Sequence, residues 1–205
     1  MRYIRRYTDR TRMTHWAVAL LFFAAALSGL ALFHPALFFL SSLFGGGVWD
    51  RILHPFLGVL MVLCFAGIFA GVWRDNRWRR DDTEWMRHSG AMLRGDKGGL
   101  PAVGRYNGGQ KLVFWISAAC LLVLLLTGLF FWQPYFADLA AIPLRRFMVL
   151  LHAIAAFLLV LAIIVHIYSA IWVKGSMRAM TRGSVSEAWA RRNHPLWHRE
   201  MTEER

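Results

Sequence analysis

Cysteine is nearly missing from the 205 residues. Only Cys64 and Cys120 occur, each inside an apolar run, with no CxxC, CxxCH or secreted-type spacing. A disulfide scaffold, a cysteine-held iron–sulfur cluster and a covalently attached c-type haem are thereby excluded. Charge is sparse too, at 18% of residues, where soluble domains carry about 25%. Acidic residues are the scarcer sign: 12 Asp+Glu stand against 24 Lys+Arg, a formal charge of +12. In a soluble protein that excess would point to nucleic acid. Here the basic residues lie outside the apolar runs, so nucleic acid is not expected as a partner. What abounds is apolar, 57% hydrophobic residues with 15 Phe and 10 Trp.

Four stretches hold no Asp, Glu, Lys or Arg: residues 16–33, 52–73, 112–132 and 147–173. At ~1.5 Å per residue as helix, each approaches or exceeds the ~30 Å of a hydrocarbon core. Trp16, Trp49, Trp73, Trp115, Trp132 and Trp172 stand at or near their ends, where an amphipathic ring prefers the headgroup level. No small-x-small cleavage site follows the first run, so it reads as a retained helix rather than a signal peptide. Of the 24 Lys+Arg, 21 flank the runs on the side of the two termini and of the 74–111 loop, and three on the other. Positive charge marks the cytoplasmic face, so both termini and that loop are expected in the cytoplasm. The reading is an all-α, integral membrane four-helix bundle forming one domain over residues 1–205. It has a cytoplasmic loop at 74–111, with a short surface helix near 84–93, and a cytoplasmic tail at 174–205.

Apart from histidine the four runs contain no side chain that is readily charged near neutral pH. A proton pump or ion transporter, which needs buried carboxylates or charged pairs along its pathway, is disfavoured. Four histidines lie in or at the edge of the runs: His15, His54, His152 and His166. By the topology above, His54 and His152 lie toward the outer surface and His15 toward the inner one. His166 follows His152 by fourteen residues on one helix, ~21 Å deeper and on nearly the same face. Depth thus pairs His54 with His152 outside and His15 with His166 inside. Two bis-histidine sites at two depths are what two b-type haems need, since a neutral imidazole ligates iron through one nitrogen while the other is held by a hydrogen bond. The residue four positions after each histidine is small, Ala19, Gly58, Ala156 and Ala170, leaving room for a flat ring edge. His34, at the exit of the first helix before Pro35, is expected to cap that helix or meet water, and His88, His194 and His198 to lie on the surface.

Six blocks carry a resemblance: RILHPFLG (51–58), GRYNGGQK (104–111), LTGLFFWQPYF (126–136), LLHAIAA (150–156), HIYSAIWVKGSMRAM (166–180) and GSVSEAWARRNHPLW (183–197). Over nearly the whole chain the sequence resembles the cytochrome b, or gamma, subunit of membrane-bound respiratory formate dehydrogenase. The resemblance implies four transmembrane helices in the bacterial inner membrane and two haems b on His15, His54, His152 and His166. It implies partners as well: an iron–sulfur (beta) subunit and a molybdenum or tungsten catalytic (alpha) subunit on the outer side. Electrons from formate would then reach quinone near the cytoplasm, at a site where Asn107, Gly109 and Gln110 meet His166. Where the family often has Arg before PYF this chain has Gln133, which puts any outer contact of that Arg in doubt.

Arg51, Arg145 and Arg146 are the basic residues on the outer side that could neutralise haem propionates; most others follow from the positive-inside bias and anionic lipid. No catalytic residue is expected, because nothing in the chain would bind formate, molybdopterin or an iron–sulfur cluster. Two rival readings remain at this point: the cytochrome b of a hydrogenase or other periplasmic oxidoreductase, and a non-redox membrane scaffold or transporter.

Overall fold

The computed structural model describes residues 2–93 and 101–203. The stretch of the 74–111 loop from 94 to 100 lies outside the described residues. Among the described residues four helices are long and apolar enough to cross a membrane: α1 (Asp9–Phe33), α2 (Gly47–Val72), α4 (Gly108–Leu129) and α5 (Ile142–Trp172), with 25, 26, 22 and 31 residues. Each begins before its charge-free run and ends within a few residues of that run's end. A first helical turn tolerates polar and acidic side chains, because its N–H groups want acceptors; Asp9 and Asp50 sit in such turns. At most 22% of the most apolar stretch of any of the four is buried. Many of the other residues are exposed apolar side chains, among them Leu20, Phe23, Leu63, Leu122 and Phe157, which suits lipid rather than water.

Between the long helices lie a 3-10 segment (Pro35–Phe44) and the amphipathic α3 (Arg80–Leu93). The latter starts earlier than the 84–93 segment read from sequence. After α5 come α6 (Ser176–Arg182), α7 (Glu187–Asn193) and α8 (Pro195–Glu203). One feature departs from an all-helical chain: β1 (Tyr3–Arg5) pairs antiparallel with β2 (Ser184–Ser186), Ile4 opposite Val185. Strands of three residues have too little pattern to be read from sequence.

By its contacts the chain divides into two compact units, one of Met13–Phe69 with Ile116–Ile164 and the other of Met1–Arg12, Ala70–Trp115 and Val165–Arg205. The first is apolar, with a core of Ala25, Met61, Cys120, Leu121 and Leu159. In the second, Ile4, Tyr7, Ala179, Val185, Ala190 and Trp197 form the core. Gly183 ends α6 with φ +75, and its carbonyl accepts from Arg6 N and Tyr7 N at 2.8 and 3.1 Å. Arg12 closes the same helix end by donating to the carbonyls of Met180 and Thr181. The N-terminal strand is therefore tied to α6 by backbone groups that the helix end would otherwise leave without partners.

Candidate haem-ligand pair and amide turn

His54, in the second turn of α2, and His152, in α5, are both half-buried. Their ring centres lie 6.3 Å apart with planes crossed at 65°. Nδ1 of His54 is 2.8 Å from Ser28 Oγ on α1, and Nδ1 of His152 is 3.0 Å from Thr127 Oγ1 on α4. With Nδ1 engaged in both rings, Nε2 is the nitrogen left for a ligand. Phe131 stands edge-on to His152 at 5.2 Å. Glycine follows each hydroxyl: a Cβ at Gly29 would crowd the His54 ring, 3.1 Å from its Cε1, whereas one at Gly128 would make ordinary contact with His152 Cε1 at 3.5 Å.

Ser28, Gly29, Thr127 and Gly128 were not singled out from the sequence. A signal for them exists: LSGL at 27–30 and LTGL at 126–129 repeat a hydroxyl–glycine step in two otherwise featureless apolar runs. His15 is half-buried in α1, with its ring edge-on to Trp16 at 5.5 Å. His166 lies on the same unbroken α5 as His152 and is exposed.

The amide turn has a defined geometry of its own. Gln110 N donates to Asn107 Oδ1 at 2.8 Å, and Asn107 N donates to Gln110 Oε1 at 3.0 Å. That reciprocal pair is a capping box at the start of α4, with Asn in the place usually held by Ser or Thr. Both side-chain oxygens face backbone, which leaves the two amide NH2 groups as donors for a ligand. Gly108 is required by close approach, since a Cβ would meet Asp82 O at 2.8 Å, and at Gly109 a Cβ would press on the Trp85 ring at 3.2 Å. Beside the turn is a polar cavity of about 120 Å³, whose lining includes Asp75, Asp82, Asn107, Lys111 and Glu200.

The remaining histidines separate cleanly. His34 accepts from Ala36 N at 3.2 Å and so caps the start of the 3-10 segment that follows it, not the end of α1 as read from the sequence. His194 corrects the surface assignment, being only 2% exposed. Its Nδ1 donates to Gly104 O at 2.8 Å, and Arg6 donates to its Nε2 at 3.4 Å. Burial, and then the Arg6 charge, hold its pKa down at about 3. Arg6 itself is 5% exposed, with its guanidinium over Trp197 at 4.7 Å and Trp189 at 5.2 Å. On the 104–111 segment, Lys111 Nζ meets Asp82 at 2.8 Å and donates to Arg77 O at 3.1 Å.

Comparison with known proteins bears on this geometry. The family description for prokaryotic cytochrome b561 matches residues 6–183. The chain is 43% identical over 198 residues to the formate dehydrogenase cytochrome b556(fdo) subunit of Escherichia coli K12, covering 97% of this chain and 93% of that one. It is 40% identical over 190 residues to the nitrate-inducible formate dehydrogenase cytochrome b556(Fdn) subunit of the same strain, covering 93% and 88%. With the formate dehydrogenase cytochrome b556 subunit of Haemophilus influenzae it shares 36% over 197 residues, covering 96% and 83%.

Proposed function

The chain belongs to the prokaryotic cytochrome b561 family, a family of haem b electron carriers, and from that premise we propose that it is the dihaem cytochrome b subunit of a formate dehydrogenase. It is a multi-pass membrane protein, and on the charge distribution it sits in the bacterial inner membrane with both termini in the cytoplasm. Its partners are an iron–sulfur subunit and a molybdenum or tungsten catalytic subunit on the outer side. The chain has no chemistry for formate itself. Two haems b supply one-electron carriers at two depths, so that electrons delivered outside become available to quinone near the cytoplasm.

The observation that carries this reading is the His54–His152 pair. Two imidazoles bonded at about 2 Å to opposite faces of one metal ion have ring centres roughly 6 Å apart, and here the separation is 6.3 Å. Each ring also has its outer nitrogen on a hydroxyl, the support that ligating histidines usually have. Gly58, one turn after His54, has no side-chain or backbone atom within 4 Å of where a Cβ would stand, which suits a flat ring edge. His15 and His166 are assigned to the second haem on the sequence argument of depth.

Quinone is assigned to Asn107, Gly109, Gln110 and His166. The donors there are the amide NH2 groups, which suit a quinone carbonyl oxygen. The carboxylates that line the adjoining polar cavity give a route for the two protons that quinone reduction takes up from the cytoplasm. Turnover therefore moves negative charge inward and builds a potential, positive outside.

The test is the haem content of the purified protein. Two haems per chain are expected, with His54→Ala or His152→Ala removing one; full content in both variants refutes the pairing. Sealed vesicles given external formate and a voltage-sensitive dye test direction, because electroneutral turnover, or proton uptake from the outer side, would put quinone at the wrong surface.

A further inference from the structure

His54 and His152 are met by one device used twice. Ser28-Gly29 on α1 faces His54 on α2, and Thr127-Gly128 on α4 faces His152 on α5. The two contacts span nearly equal lengths of chain, 26 and 25 residues. In each the hydroxyl meets Nδ1, and beside His54 the neighbouring Gly29 lets the ring lie close to the helix.

A hydroxyl has one proton to donate. Ser28 Oγ donates to Ala25 O at 3.1 Å, and Thr127 Oγ1 to Val123 O at 2.6 Å. Both protons are thus directed into the hydroxyl's own helix, so only lone pairs face the imidazoles. Each ring must then carry its proton on Nδ1 and donate it to the hydroxyl oxygen. Nε2 keeps its lone pair, which is the form a metal binds.

We infer that Ser28 and Thr127 are positioning residues that fix the Nδ1–H tautomer and the crossed ring planes of His54 and His152, and so tune the outer haem. The inference rests on the reading of those histidines as an axial pair. Two physical consequences follow from the geometry. A hydrogen bond at Nδ1 resists rotation of the ring about the axis through Nε2, so the 65° crossing is held from outside the pair. Crossed imidazoles leave two d orbitals of a low-spin ferric iron close in energy, which gives strong g anisotropy in electron paramagnetic resonance. Second, a hydroxyl polarised by its own bond to a carbonyl is a better acceptor. It pulls on Nδ1–H, makes the ring a stronger donor and favours the ferric state.

The test uses the protein purified from membranes with its co-purifying subunits, in Ser28→Ala, Thr127→Val and doubly substituted forms, with Thr127→Ser as the conservative control. Ser28→Ala deletes one oxygen from a fully buried site, and Thr127→Ser keeps the hydroxyl. The expected result is unchanged haem content, a raised midpoint potential for one haem and reduced g anisotropy in its spectrum. The double variant should show the largest shift and Thr127→Ser wild-type values. If Thr127→Val loses the haem, recovery of content, potential and spectrum in Thr127→Ser supports the inference, and no recovery overturns it. Normal content with potential and spectrum unmoved in the single and double variants overturns the inference while leaving the axial pair intact. Full haem content in His54→Ala and His152→Ala overturns the axial pair itself.

Discussion

Polar side chains are buried in both units, but they are satisfied in different ways. In the apolar unit the buried polar residues are Ser28, Ser41, Asp50, Ser117 and Thr127; in the other they are Arg6, Asn76, Asp82, Lys111 and His194. In the first, Ser28 and Thr127 hydrogen-bond back to carbonyls three and four residues earlier on their own helices. A helix can supply that acceptor wherever it runs, so no charge has to enter an apolar surrounding. The second unit instead holds charges, a guanidinium on aromatic faces and a lysine–aspartate pair. Asp50 breaks the pattern: it is fully buried in the first turn of α2, and its carboxylate oxygens have no partner among the described residues. The difference teaches that the apolar unit spends little of its polarity on stability and most of what is near the histidines on holding them.

The largest expected effect separates the units outright. His54→Ala or His152→Ala should remove one of two haems while hydrogen exchange in the 184–197 segment stays as in the wild type. Parallel loss of protection there would show that the two units do not hold independently.

Next comes the charged pair. Lys111→Met strands Asp82 in a site where both side chains are less than 10% exposed, and removing one partner of a buried pair costs about 3–5 kcal/mol. Thermal unfolding should show that loss, and the double variant Lys111→Met/Asp82→Leu should recover most of it. Equal stability of the single and double variants would mean that the pair is not the source.

Acid should act on the second unit through His194. Its folded pKa, about 3, lies below the unfolded value of about 6.5. Above the unfolded value neither state binds this proton. As pH falls below it, only the unfolded chain takes it up, so stability drops by about 1.4 kcal/mol per pH unit until the folded group titrates. At pH 5 the loss is roughly 2 kcal/mol, and His194→Gln should flatten the slope in a pH series of unfolding midpoints.

The smallest effect divides two roles of one residue. Asn107→Ala removes the cap of α4 and costs about 1 kcal/mol, together with weaker quinone or inhibitor binding. Asn107→Asp keeps an acceptor for Gln110 N and so the stability, but loses the NH2 donor and should still bind quinone more weakly. Normal inhibitor titration in Asn107→Asp would leave the residue as a cap alone.

Four charge-free runs, tryptophans at their ends and 21 of 24 basic residues on one side are one-dimensional facts, and transfer of a helix into lipid depends on little else. The long helices were legible for that reason, and so was the placing of His152 and His166 fourteen residues apart on one helix. Tertiary structure alone decided what touches what. Ser28 and Thr127 look like ordinary helix hydroxyls until α2 and α5 bring imidazoles to them. His194 reads as a surface residue until Gly104 O, Arg6 and the Trp189 ring meet it. The Ile4–Val185 register joins residues 181 positions apart in a ribbon too short to carry a periodic pattern. Partition into a membrane is a sum over neighbouring residues and survives in the sequence; tautomer, burial and pairing are set by atoms distant along the chain, which only the fold brings within 3 Å.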